Sequence, residues 1–249
     1  MGQTEGQPLI ATENLVKKFG AFTALNGVSM EIYPGEVHAL LGDNGAGKST
    51  LIKTLSGVHT ATSGQIIVEG QEVQFNSPRD ASNAGIGTVY QDLALNALTS
   101  VTRNFFLGRE LVFGKGAFGI LKMKEMHEIA VAEMSKIGIN ISDPEQAVGT
   151  MSGGQRQTLA IARAIYFGAK VLVLDEPTSA LGVHQASVVL KYIVKAASQG
   201  LAVILITHNV HHAYPVGNSF TVLNRGKSLG TYEKKNITRE KLLSMMAGG

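Results

Sequence analysis

The sequence predicts an α/β protein, in which a core of parallel strands and helices is preceded by an antiparallel β subdomain and interrupted by a helical insertion. The first observation is a short strand-like segment with the apolar residues Val37, Ala39, Leu40 and Leu41, followed by a glycine-rich loop and a helical pattern. The second is the alternation of strand-like and helical segments after Thr150, which implies crossover connections and a parallel sheet. The third is the apolar and polar alternation between Leu9 and Val37, which is typical of short strands and turns.

Turn residues divide the N-terminal part of the chain into the expected strands. These turn signals are Gly20, Gly27 and Pro34-Gly35. The apolar segment Ile66–Val68, then Val73 and Phe75, continue the same character around Gly70. We therefore expect one antiparallel sheet beside the core.

The rest of the chain is predicted to be mostly helical between residues 93 and 150 and to alternate strands with helices afterwards. Met123–Ile137 has a long helical pattern and follows a glycine-spaced connector made of Gly114, Gly116 and Gly119. The later segments are the strand Val171–Leu174, a helix around Ala186–Ala197, the strand Leu201–Thr207 and a short closing helix Lys241–Met246. We expect residues 1–249 to form a single domain, with the helical subdomain within it.

Composition limits the class of protein. A chain of 249 residues can bury one sizeable core, and 44% hydrophobic with 16% charged residues is a globular composition. The net charge of +3 is too small to indicate a nucleic-acid partner. The absence of cysteine excludes disulfides and thiolate metal sites. The longest apolar segments have the length of strands, so we expect no membrane span.

The glycine-rich loop fits the phosphate-binding pattern G-x-x-x-x-G-K-[ST]. Its residues are Gly42, Asp43, Asn44, Gly45, Ala46, Gly47, Lys48, Ser49 and Thr50. In such loops backbone N–H groups surround phosphate oxygens, and the start of the following helix offers further unpaired donors. Lys48 adds a mobile positive charge, and Ser49 supplies a hydroxyl for a magnesium ion. The sequence therefore predicts a site for a nucleoside triphosphate and Mg²⁺.

Two carboxylates follow the strand Val171–Leu174, at the edge of a parallel sheet where ligands bind. Asp175 is expected to hold the magnesium ion through its water shell, together with Ser49. Glu176 is expected to orient and polarise the attacking water. Because Pro177 follows, we expect Glu176 to remain extended at the strand tip. A solvated acidic pair is the alternative, and the phosphate loop makes it the weaker interpretation.

A second helix start carries two adjacent glycines. Ser152-Gly153-Gly154-Gln155 precedes a helical pattern, and serine followed three residues later by glutamine is a capping box. Capping alone does not explain the glycines, because each costs a helix interior roughly 1 kcal/mol. They are explained if a second anion approaches the bare backbone at this point. The chain is therefore predicted to contain two phosphate-binding helix starts.

Together these motifs resemble the ATP-binding-cassette (ABC) ATPases, the nucleotide-binding subunits of ABC transporters. The phosphate loop, Met151–Gln155, Asp175-Glu176 and Thr207-His208 occur in the order and approximate spacing of that family, over essentially the whole chain. The resemblance implies a P-loop NTPase (RecA-like) core with the β subdomain and the helical insertion. It also implies that two copies face each other head to tail, with ATP held between the phosphate loop of one and the Ser152 helix start of the other.

The resemblance also assigns roles to residues that carry no signal by themselves. Gln91 resembles the residue that senses Mg²⁺ and the attacking water while its loop touches the transmembrane partner. His208 resembles the switch histidine that contacts the γ-phosphate and steadies the catalytic glutamate. A metal site is the alternative for this histidine, since His208, His211 and His212 have helical i, i+3, i+4 spacing.

One aromatic side chain is a candidate for contact with the base. Phe19, just before Gly20, resembles the aromatic residue that stacks on adenine, and Phe22 is the second candidate. An ordinary core position is the alternative for Phe19.

Three positions depart from the family pattern. Met151 replaces a common leucine, a near-isosteric change that we expect to be harmless. Gly182 stands where many relatives have aspartate, in the loop that links the two sites across the dimer, which puts intersubunit coupling in question. Asn218-Ser219 replaces a frequent Asp-Arg pair, and the sequence offers no physical account of that change.

A more specific resemblance concerns the transported substrate. Arg103–Glu110, Ser179–Gly182 and His208-Asn209 are similar to the ATP-binding subunits of bacterial monosaccharide importers of the ribose, xylose and fructose type, with the single-cassette fructose branch more similar. This implies a homodimer of cassettes on the cytoplasmic face of the inner membrane. It also implies two integral membrane permease subunits, an extracytoplasmic sugar-binding protein and no nucleic acid. The alternatives are an ABC-type ATPase acting on nucleic acid or the ribosome, and a phosphate-loop kinase.

Overall fold

Strands and helices of a mixed α/β fold fill the described parts of the chain. The computed structural model describes residues 6–114, 119–141 and 143–248, so Gly116 of the predicted connector lies outside the described residues. The strands are β1 (Ile10–Phe19), β2 (Phe22–Ile32), β3 (Val37–Leu41), β4 (Ser63–Val68), β5 (Gln71–Val73), β6 (Ile86–Val89), β7 (Val112–Phe113), β8 (Ile120–Leu121), β9 (Val171–Asp175), β10 (Ala202–Thr207), β11 (Ser219–Asn224) and β12 (Lys227–Glu233). The α-helices are α1 (Lys48–Leu55), α2 (Pro78–Asn83), α3 (Val101–Phe106), α4 (Met123–Lys136), α5 (Gly153–Tyr166), α6 (Val183–Ser198), α7 (Val210–Val216) and α8 (Arg239–Met246).

The core sheet has the strand order β12-β11-β3-β10-β9-β6. The strands β11, β3, β10, β9 and β6 are parallel, which confirms the predicted parallel sheet, and β12 adds an antiparallel edge strand that the sequence did not predict. β10 lies between β3 and β9, so Thr207 pairs with Leu41 and Ile206 pairs with Asp175. The polar residues that follow these three strands therefore meet at one edge of the sheet.

Both faces of the core sheet are covered, and alternate residues of each strand serve the two faces. In β10, Ile204 and Ile206 pack into the cluster that contains α1 and the antiparallel sheet, whereas Val203 and Leu205 pack into the cluster formed with α5, α6, α7 and α8. Each of these side chains is 0–1% exposed, and such burial contributes about 1.5–3 kcal/mol per side chain. This packing fixes the strand ends that carry the polar residues.

The predicted antiparallel sheet is confirmed, with the order β2-β1-β4-β5. Its first two strands, of 10 and 11 residues, are longer than the short strands that we expected. Gly20 lies in the turn between them, but Gly27 lies inside β2. Leu15 pairs with Val28 and Val16 pairs with Asn26, so Gly27, with φ of 76°, is the extra residue of a β-bulge. The interpretation of Gly27 as a turn was therefore wrong.

The region between residues 93 and 150 contains α3, α4 and, unexpectedly, the antiparallel pair β7–β8. The helix predicted at Met123–Ile137 is observed as α4, one residue shorter. Phe105, Phe106 and Met134 of this region pack with Leu159 and Ala162 of α5, so its hydrophobic cluster extends beyond residue 150. In the described part of the chain, no helix combines the length and apolar character needed to cross a bilayer.

Candidate nucleotide-binding site

The predicted phosphate loop joins β3 to α1, and its glycines allow close packing. Gly47 is the N-cap of α1 with φ of 106°, and a Cβ there would lie 2.9 Å from Ala24 O and 3.3 Å from Gly226 Cα. Gly226 N donates to Ala46 O at 2.9 Å, so the turn between β11 and β12 also holds the loop. The loop is thus fixed by tertiary contacts, as binding by backbone N–H groups requires.

The loop presents its polar groups to solvent at the start of α1. Asp43, Asn44, Gly45 and Ser49 are exposed and Thr50 is half-buried. The first turn of α1 contains no acidic residue, and no side chain caps it. Its N–H groups and the positive end of the helix dipole are therefore directed at whatever binds there, which favours an anion.

Lys48 is the charged group of the loop and is only 8% exposed. Its Nζ donates to Gly42 O at 2.7 Å and to Asp43 O at 3.1 Å. Burial lowers the pKa of Lys48, and the charges of Glu176, Asp175 and Asp43 oppose that effect. The loop lysine therefore lies within electrostatic reach of both strand-end carboxylates.

The carboxylate of Glu176 is held by residues at the end of the neighbouring strand β10. Its Oε2 accepts from Thr207 Oγ1 at 2.9 Å, and its Oε1 accepts from His208 N at 2.9 Å and lies 2.7 Å from His208 Nδ1. Its backbone N–H donates to Ile206 O at 2.9 Å. These contacts bring the predicted Glu176 and His208 together and add Thr207, which the sequence did not reveal, to the residues that hold this carboxylate.

The backbone at Glu176 differs from our expectation. Its φ is 47°, in the left-handed region, so the prediction of an extended residue before Pro177 was wrong. Proline disfavours the right-handed helical conformation of the preceding residue, but it leaves the left-handed one for tertiary contacts to select. Such strain in a non-glycine residue costs of order 1–3 kcal/mol and persists only where the surroundings fix it.

The half-buried Asp175 ends β9 beside α1. Burial raises the pKa of its carboxyl, the charge of Glu176 raises it further, and Lys48 and Lys53 lower it. The two adjacent negative charges therefore favour the binding of a cation, which would lie between the carboxylates and a bound phosphate. With the Ser49 hydroxyl and the exposed amide of Gln91, which follows β6 by two residues, the donors are all hard oxygens and fit Mg²⁺.

The shared helical face on which the alternative of a histidine metal site depended is not observed. His208 lies before α7 and its Nδ1 faces Glu176, whereas His212 Nδ1 lies 2.9 Å from Thr178 Oγ1. The three histidines therefore do not share one helical face. Across the described ranges, no group of three His, Cys, Asp or Glu residues is arranged to hold a metal ion.

The second predicted helix start is the N-terminus of α5. Ser152 Oγ accepts from Gln155 N at 3.3 Å and Gln155 Oε1 accepts from Ser152 N at 2.9 Å, which confirms the capping box. A Cβ at Gly153 would lie 2.9 Å from Leu181 Cδ2, and one at Gly154 would lie 3.1 Å from Gln185 Cβ. Close packing against α6 therefore favours glycine at 154, whereas the atom near Gly153 is the flexible end of a leucine side chain that can move. The two glycines are not by themselves evidence for an anion.

Both candidate aromatic residues lie at the tip of the β1–β2 hairpin. Phe19 is 44% exposed and Phe22 is 68% exposed, so the core interpretation of Phe19 was wrong. The Phe19 ring packs edge-on against His59, at 5.1 Å between centroids, and Lys17 Nζ lies 5.0 Å from the same ring. His59 follows α1 in the chain, so Phe19 is the candidate that contacts the segment next to the phosphate-loop helix.

The structure also accounts for two of the unusual positions. Asn218 Oδ1 accepts from Val37 N at 2.8 Å, at the start of the strand that leads to the phosphate loop. Ser219 Oγ lies 2.7 Å from Nδ1 of the fully buried His38. Gly182 is the exposed N-cap of α6 and provides no side-chain cap.

The segment that follows β6 and contains Gln91 is called the Gln91 loop below. A cavity of about 330 Å³ lies beside this loop, between β6, α2 and α5. Arg109 and Arg163 line it, and their guanidinium groups donate to neutral oxygens of Ser82, Phe167 and Leu107. Burial and the charge of Arg109 lower the pKa of Arg163, and Glu110 opposes this. Neither arginine belongs to an ion pair within the described residues.

A family model and several known proteins match this chain, and they all point to the same family. The family model described as ABC transporter matches residues 25–179. The chain is 42% identical over 247 residues to the fructose import ATP-binding protein FrcA of Rhizobium meliloti, covering 97% of this chain and 95% of the relative. It is 45% identical to the xylose/arabinose import ATP-binding protein XylG of Sulfolobus acidocaldarius, covering 96% and 93%. The ribose import ATP-binding protein RbsA 2 of Escherichia coli O157:H7 is 37% identical, and the match covers 97% of this chain but 47% of that protein.

Solved structures give the same fold. The ADP conformation of MJ1267, an ATP-binding cassette of an ABC transporter, matches with a TM-score of 0.83 at 23% identity, over 96% of each chain. The dimeric post-hydrolysis state of the cassette MJ0796 bound to ADP and Pi matches with a TM-score of 0.74 at 22% identity, over 92% of this chain and 100% of that one. The predicted P-loop core with its two additions is thereby confirmed. The family model, and the relatives that match over nearly their whole length, show that this chain belongs to the ABC transporter family, as an ATP-binding cassette.

Proposed function

We propose that the chain is the ATP-hydrolysing subunit of an importer that powers monosaccharide uptake through a membrane permease. The observation that carries this proposal is the meeting of the phosphate loop, Asp175 and the Glu176–His208 pair at one sheet edge. The fructose, xylose/arabinose and ribose import names of the relatives support the choice of cargo. Fructose, ribose and xylose remain equal candidates, since the cassette itself does not touch the sugar.

Each site residue has a chemical task in this proposal. Lys48 and the loop N–H groups bind the phosphates, and Phe19 stacks on adenine. Ser49, Asp175 and Gln91 would hold Mg²⁺, which supplies positive charge to the phosphate oxygens when bound. These residues place the γ-phosphate next to Glu176.

Glu176 orients the attacking water and accepts its proton. Thr207 and His208 fix its carboxylate through three contacts, so little reorganisation is needed at the moment of reaction. His208 uses Nδ1 on that carboxylate, which leaves Nε2 to approach the γ-phosphate; its side chain is 56% exposed, as such an approach requires.

A second copy of the chain completes the site. The elements that pack most closely on α1 are β2 and β9, and the hydrogen bonds of Ser152 stay within its own helix start. Within the described residues, the exposed Ser152 helix start forms no hydrogen bond to the phosphate loop of its own chain, and we propose that it covers ATP bound to a partner copy. ATP then closes the homodimer, and hydrolysis removes the bridge, an equilibrium set by differential affinity for the two states.

The permease is proposed to engage the cavity beside the Gln91 loop. Arg109 and Arg163, which form no ion pair within the described residues, line it together with one carboxylate, Asp92. The charged lining residues therefore leave an excess of positive charge, which an acidic side chain on a cytoplasmic permease segment would complement. The cavity contacts both the Gln91 loop and α5, whose N-terminus begins at Ser152. Two permease subunits and an extracytoplasmic sugar-binding protein complete the transporter, with the cassettes peripheral on the cytoplasmic face of the inner membrane.

Sugar-dependent ATPase activity of the reconstituted transporter tests this function. The cassette is purified with its permease and sugar-binding protein in proteoliposomes, and phosphate release is measured with fructose, ribose, xylose and no sugar. We expect stimulation by one of the sugars. Copurification of RNA or DNA in place of a permease, or a phosphorylated acceptor in place of free phosphate, would contradict the proposal.

A further inference from the structure

A hydrogen bond joins the residue before Gln91 to the end of the phosphate-loop helix. The Tyr90 hydroxyl donates to Ser56 Oγ at 2.7 Å, and Ser56 Oγ donates to Lys53 O at 3.4 Å. Ser56 is 4% exposed and is the C-cap of α1, and Tyr90 is half-buried. The bond therefore ties the segment after β6 to α1.

The two elements that meet at this bond each carry a proposed magnesium ligand. Ser49 lies in the first turn of α1, roughly 10 Å from Ser56 at the helical rise of about 1.5 Å per residue. Gln91 directly follows Tyr90. The parallel pairing of β6 with β9 ends at Val89, so the strand ladder does not hold Gln91 in place.

We propose that Tyr90 is a positioning residue for the metal site, because its bond to Ser56 fixes Gln91 relative to Ser49. This inference rests on the proposed function, in which Gln91 and Ser49 hold Mg²⁺. Tyr90 acts through Gln91 and not by contact with the nucleotide.

The same bond gives the permease a route to the metal site. Tyr90 and Ser56 both line the cavity beside the Gln91 loop. A permease segment that fills this cavity contacts the bond directly. Displacement of Tyr90 by that segment would shift Gln91 with respect to α1, so metal binding and permease position are linked.

Removal of the Tyr90 hydroxyl tests the proposal in the full chain. In Tyr90→Phe the ring stays, and we expect kcat for ATP hydrolysis to fall about two- to tenfold, which corresponds to one neutral hydrogen bond. The Mg²⁺ concentration for half-maximal thermal stabilisation of the chain by a non-hydrolysable ATP analogue should rise by a similar factor. KM for ATP should stay within about twofold, because Lys48 and the loop are unchanged.

A double-mutant cycle identifies the bond itself. Ser56→Ala should reproduce both changes, and the double variant should be no worse than either single variant, since all three lack the same bond. Tyr214→Phe is the matched control, because the hydroxyl of this half-buried tyrosine also donates a hydrogen bond, in this case to the backbone Ile237 O at 3.2 Å, and lies on the α7 side of the core. We expect the control to keep the wild-type kcat and Mg²⁺ requirement.

Several results would overturn the inference while leaving the proposed function intact. They are a wild-type Mg²⁺ requirement in Tyr90→Phe, additive effects in the cycle, or an equal change in Tyr214→Phe. A lower melting temperature with unchanged Mg²⁺ dependence would show a purely structural bond and would also overturn it. A wild-type chain that hydrolyses no ATP, alone or with its permease, would instead overturn the proposed function.

Discussion

Replacement of Lys48 by alanine isolates the contribution of one charge to nucleotide binding. Lys48 is 8% exposed, and its ammonium group is held by two neutral carbonyls, Gly42 O at 2.7 Å and Asp43 O at 3.1 Å. Burial lowers its pKa, so the ammonium is poorly solvated in this environment. An anionic phosphate offers it a stronger partner than either carbonyl.

We expect Lys48→Ala to weaken ATP binding roughly tenfold to 150-fold, since a hydrogen bond to a charged group contributes about 1.5–3 kcal/mol. Lys53→Ala is the matched control, because this lysine lies in the same helix but is exposed, and its loss should change the affinity by less than about twofold. Titration with a fluorescent ATP analogue in the presence of Mg²⁺ measures both. A folded Lys48→Ala variant that binds ATP as well as the wild type would refute the assignment of the loop.

Three further predictions concern the chemistry, the base and the metal. Glu176→Gln should lower kcat about 10²- to 10⁴-fold with ATP binding retained, because the amide keeps an acceptor for His208 N but loses the base, and rapid phosphate release by this variant would count against that role. Phe19→Ala should weaken ATP binding roughly fivefold to 150-fold, the range for about 1–3 kcal/mol of base stacking, and Phe22→Ala should not; equal losses in calorimetric titrations would contradict the choice of Phe19. Asp175→Asn should raise the melting temperature of the nucleotide-free chain. The folded-state pKa of Asp175 lies above the ordinary 3.8, so its carboxylate destabilises the fold increasingly as the pH rises from that value through the raised pKa. The gap in melting temperature between variant and wild type should therefore widen from acid to neutral pH, and a variant that melts below the wild type at pH 8 would contradict this.

The sequence predicted the elements whose environment is uniform along their length. β3, β9 and β10 are buried on both faces, so they are mostly apolar segments that are visible without any tertiary information. The phosphate loop follows a fixed pattern because its backbone must turn around phosphate, and the Ser152 capping box is a local interaction within one helix turn. These features also place the loop, Asp175 and Glu176 at one edge of the sheet.

Features that depend on tertiary contacts were not predicted from sequence. Gly27 provides a positive φ that serves a bulge as well as a turn, and the pairing of β1 with β2 decides between them. The left-handed conformation of Glu176 depends on its bonds to Thr207 and His208. The packing of Gly154 of α5 against Gln185 of α6 is a tertiary contact, and β7–β8 is too short to show a periodic pattern.

The mass of Glu176→Gln in solution tests whether ATP joins two copies of the chain. It is determined by sedimentation with saturating Mg²⁺ and either ATP or ADP. With ATP we expect a species of about 53 kDa, twice the 26.4 kDa of one chain, because the Ser152 helix start of each copy covers the triphosphate of the other. With ADP we expect the mass of a single chain. A variant that binds ATP and still sediments as one chain, with or without its permease, would contradict the proposal that two copies share each ATP site.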